Sequence, residues 1–283
     1  MKDIMQRIDN ANHIVLIVEP NPGADALGAA SAMYTHLLRL HKKVSLYCAT
    51  QGIHSSLSFL PWFEKIRNSF PSSADFAIFL GRESDFGLEI NIEYSVINSD
   101  LMSMSQKLYN FFSKKEINLN KKMATALYAG LLEDTNGFLS DTLDGTIFAA
   151  SKVLIESGAD FQACNRYIMQ YQSLASLKLK ALMLSNMRLI QDAEVAVFLV
   201  SNEDMKKTGA MNEDCKKVLA EALFLPTVEV SLLVKENEDG SISGFVHSSA
   251  KSKYTNRELF SISNTNTLEN ALEEILKLIN KEI

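Results

Sequence analysis

The sequence is poor in the features that define several classes of protein. Its 283 residues include only 3 cysteines, 5 prolines and 12 glycines, and 47% of its positions are apolar. Cys48, Cys164 and Cys215 lie far apart and form no CxxC pair, which predicts reduced thiols and argues against a disulfide or zinc framework. A chain this apolar and this low in proline and glycine is not expected to be disordered. The length predicts a globular protein of about two domains.

Long apolar runs and an excess of positive charge are absent as well. No run approaches the roughly 18 apolar residues that a membrane span requires, and the N-terminal MKDIMQRID lacks the apolar core of a secretion signal. We therefore expect a cytoplasmic protein with no membrane partner. The 28 Lys and Arg against 34 Asp and Glu give a net charge of −6, so no overall positive field attracts nucleic acid.

The common catalytic motifs are missing too. The sequence contains no P-loop, GxGxxG, GxSxG or HExxH motif. None of the 5 histidines has the spacing of a metal-ligand pair. We expect His36 and His41 on the surface of a helix and His13 at the edge of a strand.

Short apolar strands alternate with helical segments in the first part of the chain. This alternation predicts an α/β fold with a mostly parallel sheet and helices on both faces. The predicted strands lie at 13–18, 44–48, 75–80 and 94–97, and the predicted helices at 26–41, 101–116, 121–132 and 144–157.

The C-terminal part predicts a second, smaller α/β domain. Its pattern is a proline-free helical stretch at 161–190, a strand at 194–200, a helix at 204–224, a hairpin at 228–234 and 241–247, and a helix at 268–281. The Asp239-Gly240 pair is a typical hairpin turn. We predict an N-terminal domain at 1–160, a helical linker at 161–192 and a C-terminal domain at 193–283.

The segment Glu19–Gly28, EPNPGADALG, follows the first strand and begins a helix. Ligands of open α/β sheets bind at this position, beside helix N-terminal N–H groups that favour anions. Asp25 is therefore a candidate metal ligand, and equally a candidate cap for a helix that starts at Ala26. The residues alone favour the cap, because capping positions are commoner than metal ligands.

Two adjacent acids end the helix in Ala124–Phe138, ATALYAGLLEDTNGF. Glu133 and Asp134 lie where the helix dipole disfavours negative charge. A bound metal would offset this effect, and so would solvent exposure or a turn that the Asp side chain stabilises.

A basic group lies in Ser248–Arg257, SSAKSKYTNR, within an otherwise acidic region. Lys251, Lys253 and Arg257 stand beside several hydroxyls, a combination that binds phosphate in many proteins. A solvated basic loop explains the same pattern equally well.

Taken together, these segments resemble the DHH/DHHA1 phosphoesterases, in the branch of nano-RNases and 3′-phosphoadenosine-5′-phosphate phosphatases, with RecJ-type exonucleases more distant. Glu19–Gly28 is similar to the family's H-x-N-P-D-G-D-A-[LI]-G, and Ala124–Phe138 to its A-x-x-L-Y-x-G-[IL]-x-x-D-T-x-x-F. Leu154–Asp160 is similar to L-[IL]-x-x-G-A-[DN]. The resemblance implies a DHH domain followed by a DHHA1-like domain.

The resemblance also implies a centre of two Mn²⁺ or Mg²⁺ ions, of which this chain keeps few ligands. Asp25 and Asp134 stand at ligand positions of the family. The first-loop histidine of the family is matched by Glu19, and its first aspartate by Gly23. Two such carboxylates can hold at most one well-hydrated ion, so we expect no metal or one weakly bound Mg²⁺ or Mn²⁺.

Two further ligand positions of the family have changed. Gly81 aligns with an aspartate at the end of the third strand, and Asn98-Ser99-Asp100 aligns with the Asp-His-His motif. Glu19 and Asp100 therefore remain as supplementary metal candidates. Without a histidine, any rewired site would be built from oxygen ligands, which suits Mg²⁺.

The glycine-rich GGGH substrate loop of the family has no counterpart, because the chain has FSISNTN at 260–266. Only the approach to that loop is kept, with Lys251 where the family has an arginine. The candidate substrate contacts are Asn21, Ser249, Lys251 and Arg257.

Two functions stay open on this basis. The first is a degenerate, catalytically impaired member that binds a nucleotide, a short RNA or a protein partner in a cleft between its domains. The second is an active metal-dependent phosphoesterase that acts on small nucleotides or oligoribonucleotides through a rewired carboxylate Mg²⁺ site. A purely interacting protein, working as a homodimer or with a protein partner, is a third hypothesis.

Overall fold

The computed structural model describes residues 2–50, 53–81, 90–97, 102–140, 143–249, 257–259 and 267–281. The chain divides into two compact units, Met1–Tyr171 and Gln172–Ile283. The division falls inside the segment that the sequence predicts as a linker. No helix among the described residues has the length and apolar character that a membrane crossing needs.

A five-stranded parallel sheet forms the centre of the first unit. Its strands are β1 (His13–Val18), β2 (Lys43–Cys48), β3 (Ile66–Arg67), β4 (Phe76–Leu80) and β5 (Glu93–Ile97), in the order β3-β2-β1-β4-β5. All six residues of β1 are buried, as expected for a central strand that is covered on both faces. The predicted α/β class with a parallel sheet, helices and a second smaller domain is confirmed.

The helices of the first unit pack mainly on one core. They are α1 (Lys2–Asn10), α2 (Ala24–Arg39), α3 (Met104–Lys114), α4 (Lys121–Asp134), α5 (Gly145–Glu156) and α6 (Phe161–Cys164). Ile14, Leu16 and Val18 of β1 belong to this core, because alternate residues of a strand point to one face. On the opposite face, Val15 and Ile17 pack with connecting segments that include Phe70 and Ile92.

The prediction of a continuous helix at 161–190 is wrong. After α6, residues Asn165–Gln170 form a π-helical turn, and the separate helix α7 (Leu174–Ser185) and strand β6 (Arg188–Ile190) follow. Ser173 starts α7 by accepting a hydrogen bond from the Ser176 N–H at 3.0 Å. The absence of proline and glycine made the segment look continuous, although Ser173 supplies a start signal for a new helix.

The second unit holds a sheet in the order β10-β9-β8-β7-β6. Its further elements are β7 (Val195–Val200), α8 (Asn202–Thr208), α9 (Asn212–Ala222), β8 (Val230–Glu236), β9 (Ile242–Ser248), β10 (Arg257–Leu259) and α10 (Leu268–Lys281). β7 and β8 are parallel, and β8 and β9 form the predicted antiparallel hairpin. The helix predicted at 204–224 is two helices, since Gly209 ends α8 in a left-handed conformation with φ of 68°.

Histidine positions differ from the sequence prediction. His36 is buried between α2 and α3, with its ring centroid 5.3 Å from that of Phe112. His41 is exposed but lies after the end of α2. His13 begins the central strand, where its ring nitrogens lie 2.9 Å from the hydroxyls of Ser45 and Ser73. The serine partners explain why a polar ring is tolerated at a buried position.

Close packing of α2 on α4 depends on Gly28. A Cβ atom at position 28 would collide with the backbone carbonyl oxygen of Ala126. Because backbone cannot move aside as a flexible side chain can, any larger residue must separate the two helices.

We expect Gly28→Ala to lower the free energy of unfolding by about 2 kcal/mol, the usual cost of overpacking a core. Gly145→Ala is the matched control, because a Cβ at position 145 meets nothing within 4 Å. Urea unfolding of both variants measures the difference. Equal stabilities of the two variants would contradict the close contact.

The burial of the His36 ring predicts that the stability of the fold depends on pH. Among the described residues, its Nε2 has no hydrogen-bond partner. Burial, and secondarily the charge of Arg39, lowers its pKa below the usual 6.5. The unfolded chain therefore takes up a proton at a higher pH than the folded chain does, and the stability falls as the pH drops below about 6.5.

In His36→Leu this part of the acid sensitivity is expected to disappear. The stability of the variant relative to the natural chain should then rise as the pH is lowered from 7.5 to 5.5. Urea unfolding at several pH values measures it, with the exposed His41→Leu as the control. A relative stability that does not change with pH would refute the assignment.

Candidate functional site

The parallel strands of the first unit end at one edge of the sheet. Val18 pairs in register with both Cys48 and Leu80, and Leu80 pairs with Ile97. The segments that follow β1 and β4 therefore start at the same edge, where open α/β sheets bind ligands. Glu19, Asn21 and Gly81 all belong to these segments.

Hydrogen bonds between its backbone and the side chains of Thr50 and Cys48 hold the loop after β1 in place. Asn21 adopts a left-handed conformation with φ of 54°, and its N–H donates to the Thr50 Oγ1 at 2.7 Å. Glu19 is partly buried, and its carbonyl oxygen lies 3.5 Å from the Cys48 sulfur, which donates to it. The side chain of Asn21 is exposed, which leaves it accessible to a ligand.

Asp25 does not cap its own helix, contrary to the sequence prediction. Helix α2 begins at Ala24, and the carboxylate of Asp25 instead accepts the backbone N–H groups of Met104 at 2.7 Å and Ser105 at 2.8 Å. Ser105 returns a hydrogen bond from its hydroxyl to the Asp25 carbonyl oxygen at 3.1 Å. Asp25 therefore caps α3, a helix about 80 residues away in sequence.

These bonds complete the start of α3. The first-turn N–H groups of a helix have no partner within the helix and need one from outside. The Gln106 N–H donates to the Ser103 hydroxyl at 3.0 Å, and Asp25 accepts the two N–H groups before it. Since a negative charge at a helix N-terminus also interacts favourably with the helix dipole, Asp25 has a structural role there.

Glu133 performs the same task for α2. Its Oε2 accepts the N–H of Asp25 at 2.9 Å, in the first turn of α2. A Cβ atom at position 23 would collide with this carboxylate. The loss of a side chain at Gly23 and the placement of Glu133 are therefore parts of one arrangement.

Helices α2, α3 and α4 meet at Gly130. A Cβ at this position would collide with the Ser105 side chain and lie 2.9 Å from the Asp25 Oδ1. Glycine thus lets α4 approach the capped start of α3. The contact fixes the Asp25 carboxylate between three helices.

Burial and neighbouring acids raise the pKa values of Asp25 and Asp134. Burial is the main cause that raises the pKa of Asp25 to about 6, and the charge of Asp134 adds to it, while hydrogen bonds from Ser105 and Met104 oppose the rise. The pKa of Asp134 is raised by burial and by the charge of Glu133. The three carboxylates Asp25, Glu133 and Asp134 therefore form one acidic group.

The donor set here does not fit a centre of two metal ions. Two of the three carboxylates already accept helix N–H groups, and Gly23 offers no side chain. Gly81 has φ of 143°, a conformation that an aspartate would adopt only with strain. Within the described parts of the chain, no three His, Cys, Asp or Glu side chains are arranged to hold a metal ion.

The remaining predicted residues lie in part outside the described structure. Asp100 and Lys251 fall outside the described residues. Ser249 is described, and its N–H donates to the Glu229 carbonyl at 2.9 Å. The backbone of Arg257 is in β10, opposite Val246 of β9. Their role in substrate binding stays a prediction.

Sequence reasoning missed the roles of Glu133 and Ser105. Glu133 was noted only as an acid at an unfavourable helix end. The signal that could have identified it is the glycine at position 23, which leaves room for a carboxylate from another segment. Ser105 gave no signal, because its partner is distant in sequence.

The capping role of Asp25 makes a direct prediction. Asp25→Ala removes the acceptor for two N–H groups and is expected to lower the free energy of unfolding by about 2 kcal/mol. Asp134→Ala is the control, and we expect it to change stability little, since no hydrogen bond to its carboxylate is described and its charge is unfavourably placed. Thermal or urea unfolding measures both. Equal effects of the two substitutions would contradict this role.

Comparison with known proteins supports the predicted resemblance in fold and sequence. No family model matches the chain. A probable bifunctional oligoribonuclease and PAP phosphatase from Streptococcus mutans is 24% identical over 148 residues, which is 52% of this chain and 47% of that protein. The match thus spans about half the length of this curated relative.

Solved structures give a wider match in fold. An exopolyphosphatase-related protein from Bacteroides fragilis has a TM-score of 0.80 at 17% identity, over 98% of this chain and 95% of its own. RecJ from Thermus thermophilus, in complex with Mg²⁺, has a TM-score of 0.50 at 11% identity, over 100% of this chain and 52% of its own. At such identities these matches establish the fold alone.

Proposed function

Because the resemblance to the DHH/DHHA1 phosphoesterases is confirmed, we propose that this chain is a member with impaired hydrolytic activity that binds a nucleotide or a short RNA. The observation that carries the proposal is the commitment of Asp25 and Glu133 to helix N–H groups. It is supported by Gly23 and Gly81, which offer no ligand side chain at positions where the family has aspartates.

The physical argument concerns charge. Two divalent ions bring four positive charges, which several fixed anionic or imidazole ligands must offset. Here two of the acids that remain near the loop accept hydrogen bonds from backbone N–H groups. No histidine stands at the positions aligned with the metal ligands of the family. A scaffold in this state is expected to retain ligand binding more readily than phosphoester hydrolysis.

The nature of the ligand follows from the relatives and from the loop. The Streptococcus relative is named for action on oligoribonucleotides and on PAP, so a nucleotide or short RNA is the class we propose. Asn21 is exposed in the loop before α2, at the edge of the sheet where open α/β sheets bind ligands. Ser249, Lys251 and Arg257 are the proposed phosphate contacts of the second unit.

A second candidate function is favoured by one observation. The charge of Asp134 contributes to the raised pKa of Asp25, and the charge of Glu133 to that of Asp134, and one hydrated Mg²⁺ would relieve this repulsion. With Glu19 and Asp100 as further oxygen ligands, this chain would be an active phosphoesterase with a rewired site. Binding and hydrolysis measured on the same protein separate the two functions.

The test measures binding and turnover of 3′-phosphoadenosine 5′-phosphate and of the dinucleotide pApA. We expect saturable binding by calorimetry in the presence of EDTA, and no hydrolysis above background when millimolar Mn²⁺ or Mg²⁺ is added. The affinity should fall about 10-fold in Lys251→Met, because a phosphate would lose a charged partner. Lys152→Met, on the exposed surface of α5, is the control.

Two results would overturn the proposal. Metal-dependent hydrolysis that is lost in Asp134→Asn would establish the active alternative instead. Failure to bind either compound would reject nucleotide binding and favour a purely interacting protein.

A further inference from the structure

The second unit contains a cavity that the proposed function does not use. Its volume is about 750 Å³, within the range of small-molecule sites. It is lined by α8, by the connection from Gly209 to Asn212, and by the end of β8 with the turn that follows it. β8 is paired in parallel with β7, and α8 follows β7 directly, so the cavity lies at the carboxyl ends of a parallel pair.

This cavity lies at the opposite end of the strands from the predicted phosphate loop. Ser248, at the end of β9, pairs with Val230 at the start of β8, and Ser249 contacts Glu229. The cavity is instead bordered by Glu236, which pairs with Ile242 at the other end of the hairpin. The length of the strands therefore separates it from Ser249.

Lys235 is a nearly buried cationic side chain in the wall of the cavity. It is only 9% exposed, and it lies on the same face of β8 as Leu233, toward α8 and α9. Among the described residues it forms no ion pair, and its ammonium donates to the Asn237 Oδ1 at 3.0 Å. Hydrogen bonds from Ser241 lower the pKa of Asp239, and the charge of Lys235 contributes to the same shift. Of the three N–H donors of the ammonium, only the one to Asn237 has a described partner.

Two of the three acids that line the cavity accept local hydrogen bonds. Glu236 accepts the Asn202 N–H at 3.0 Å, and Asp239 accepts the N–H and the hydroxyl of Ser241 at 2.9 and 2.6 Å. Lys206, by contrast, lines the cavity with no ion pair among the described residues. The acids keep their charge in these hydrogen bonds, and Lys235 and Lys206 supply the cationic N–H donors that an anion in the cavity would need.

The wall also offers an apolar surface. Met205 and Met211 line it, and thioether side chains adapt to ligands of varied shape. Met211 stands at the start of α9 and supplies no side-chain hydrogen bond to that helix, whose N-terminus carries a partial positive charge. The ligand class that fits is an anionic group attached to a small apolar body.

From these contacts we infer that the cavity is a binding site for a small organic anion, with Lys235 and Lys206 as the charged contacts. The anionic group is a phosphate monoester or a carboxylate. The site is independent of the carboxylates of the first unit and of any hydrolysis there.

The experiment is an NMR titration of the ¹⁵N-labelled full chain with inorganic phosphate in one arm and acetate in the other, at constant ionic strength. We expect saturable shifts of the amides of 202–212 and 235–239 in at least one arm, whether or not phosphate also shifts amides at the proposed nucleotide contacts. The arm that saturates identifies the anion. Constant ionic strength removes the screening effect of added salt.

Variants decide whether the lysines form the site. Lys235→Met should weaken binding at least 10-fold and Lys206→Met several-fold. Lys207→Met, adjacent on α8 and paired with Glu203, should bind as the natural chain does. Unchanged thermal stability will show that Lys235→Met is folded, and Lys206→Glu provides a second loss of binding if it is not.

The inference is overturned if neither anion gives saturable shifts up to 50 mM (a limit that corresponds to about −1.8 kcal/mol of binding free energy), or if Lys206→Glu binds like the natural chain. Shifts at Asn21 or Ser249 with none at 202–212 or 235–239 would also overturn it. Failure of nucleotide binding at the first unit would leave this result unaffected.

Discussion

Two carboxylates hold the starts of two helices, and the arrangement of the first unit depends on them. Glu133 of α4 accepts an N–H of α2, and Asp25 of α2 accepts two N–H groups of α3. Each bond satisfies a helix end that the helix itself cannot satisfy. The three helices are thereby linked in series, and Gly23 and Gly130 provide the space that the links require.

This series gives the acids partners from within the protein. The charge of Asp134 contributes to the raised pKa of Asp25, and the charge of Glu133 to that of Asp134. Helix N-termini supply the compensating positive charge that a cation would otherwise supply. Asp25 and Glu133 thus serve the stability of the fold.

The second unit follows a different pattern. Its charges are mostly acidic, with 10 basic against 15 acidic residues over 193–283, yet two lysines line the cavity beside α8, where Glu236 and Asp239 accept local hydrogen bonds. Net charge therefore does not describe the local field. What a surface binds depends on which charged groups retain free donors or acceptors.

The sequence by itself determined most elements of the fold, because apolar periodicity and turn residues are local: β1, the β8–β9 hairpin and α10 lie where predicted. Its motifs also singled out Asp25 and Asp134 as candidate ligands, and the charge of Asp134 acts on Asp25 in the structure. It failed where a helix start depends on one serine, at Ser173, and where a glycine divides a helical pattern, at Gly209. Only the tertiary structure decided that Asp25 caps α3, that Glu133 fills the space at Gly23 and that His36 is buried. Each of these is a contact between residues distant in sequence, and local pattern carries no information about such partners.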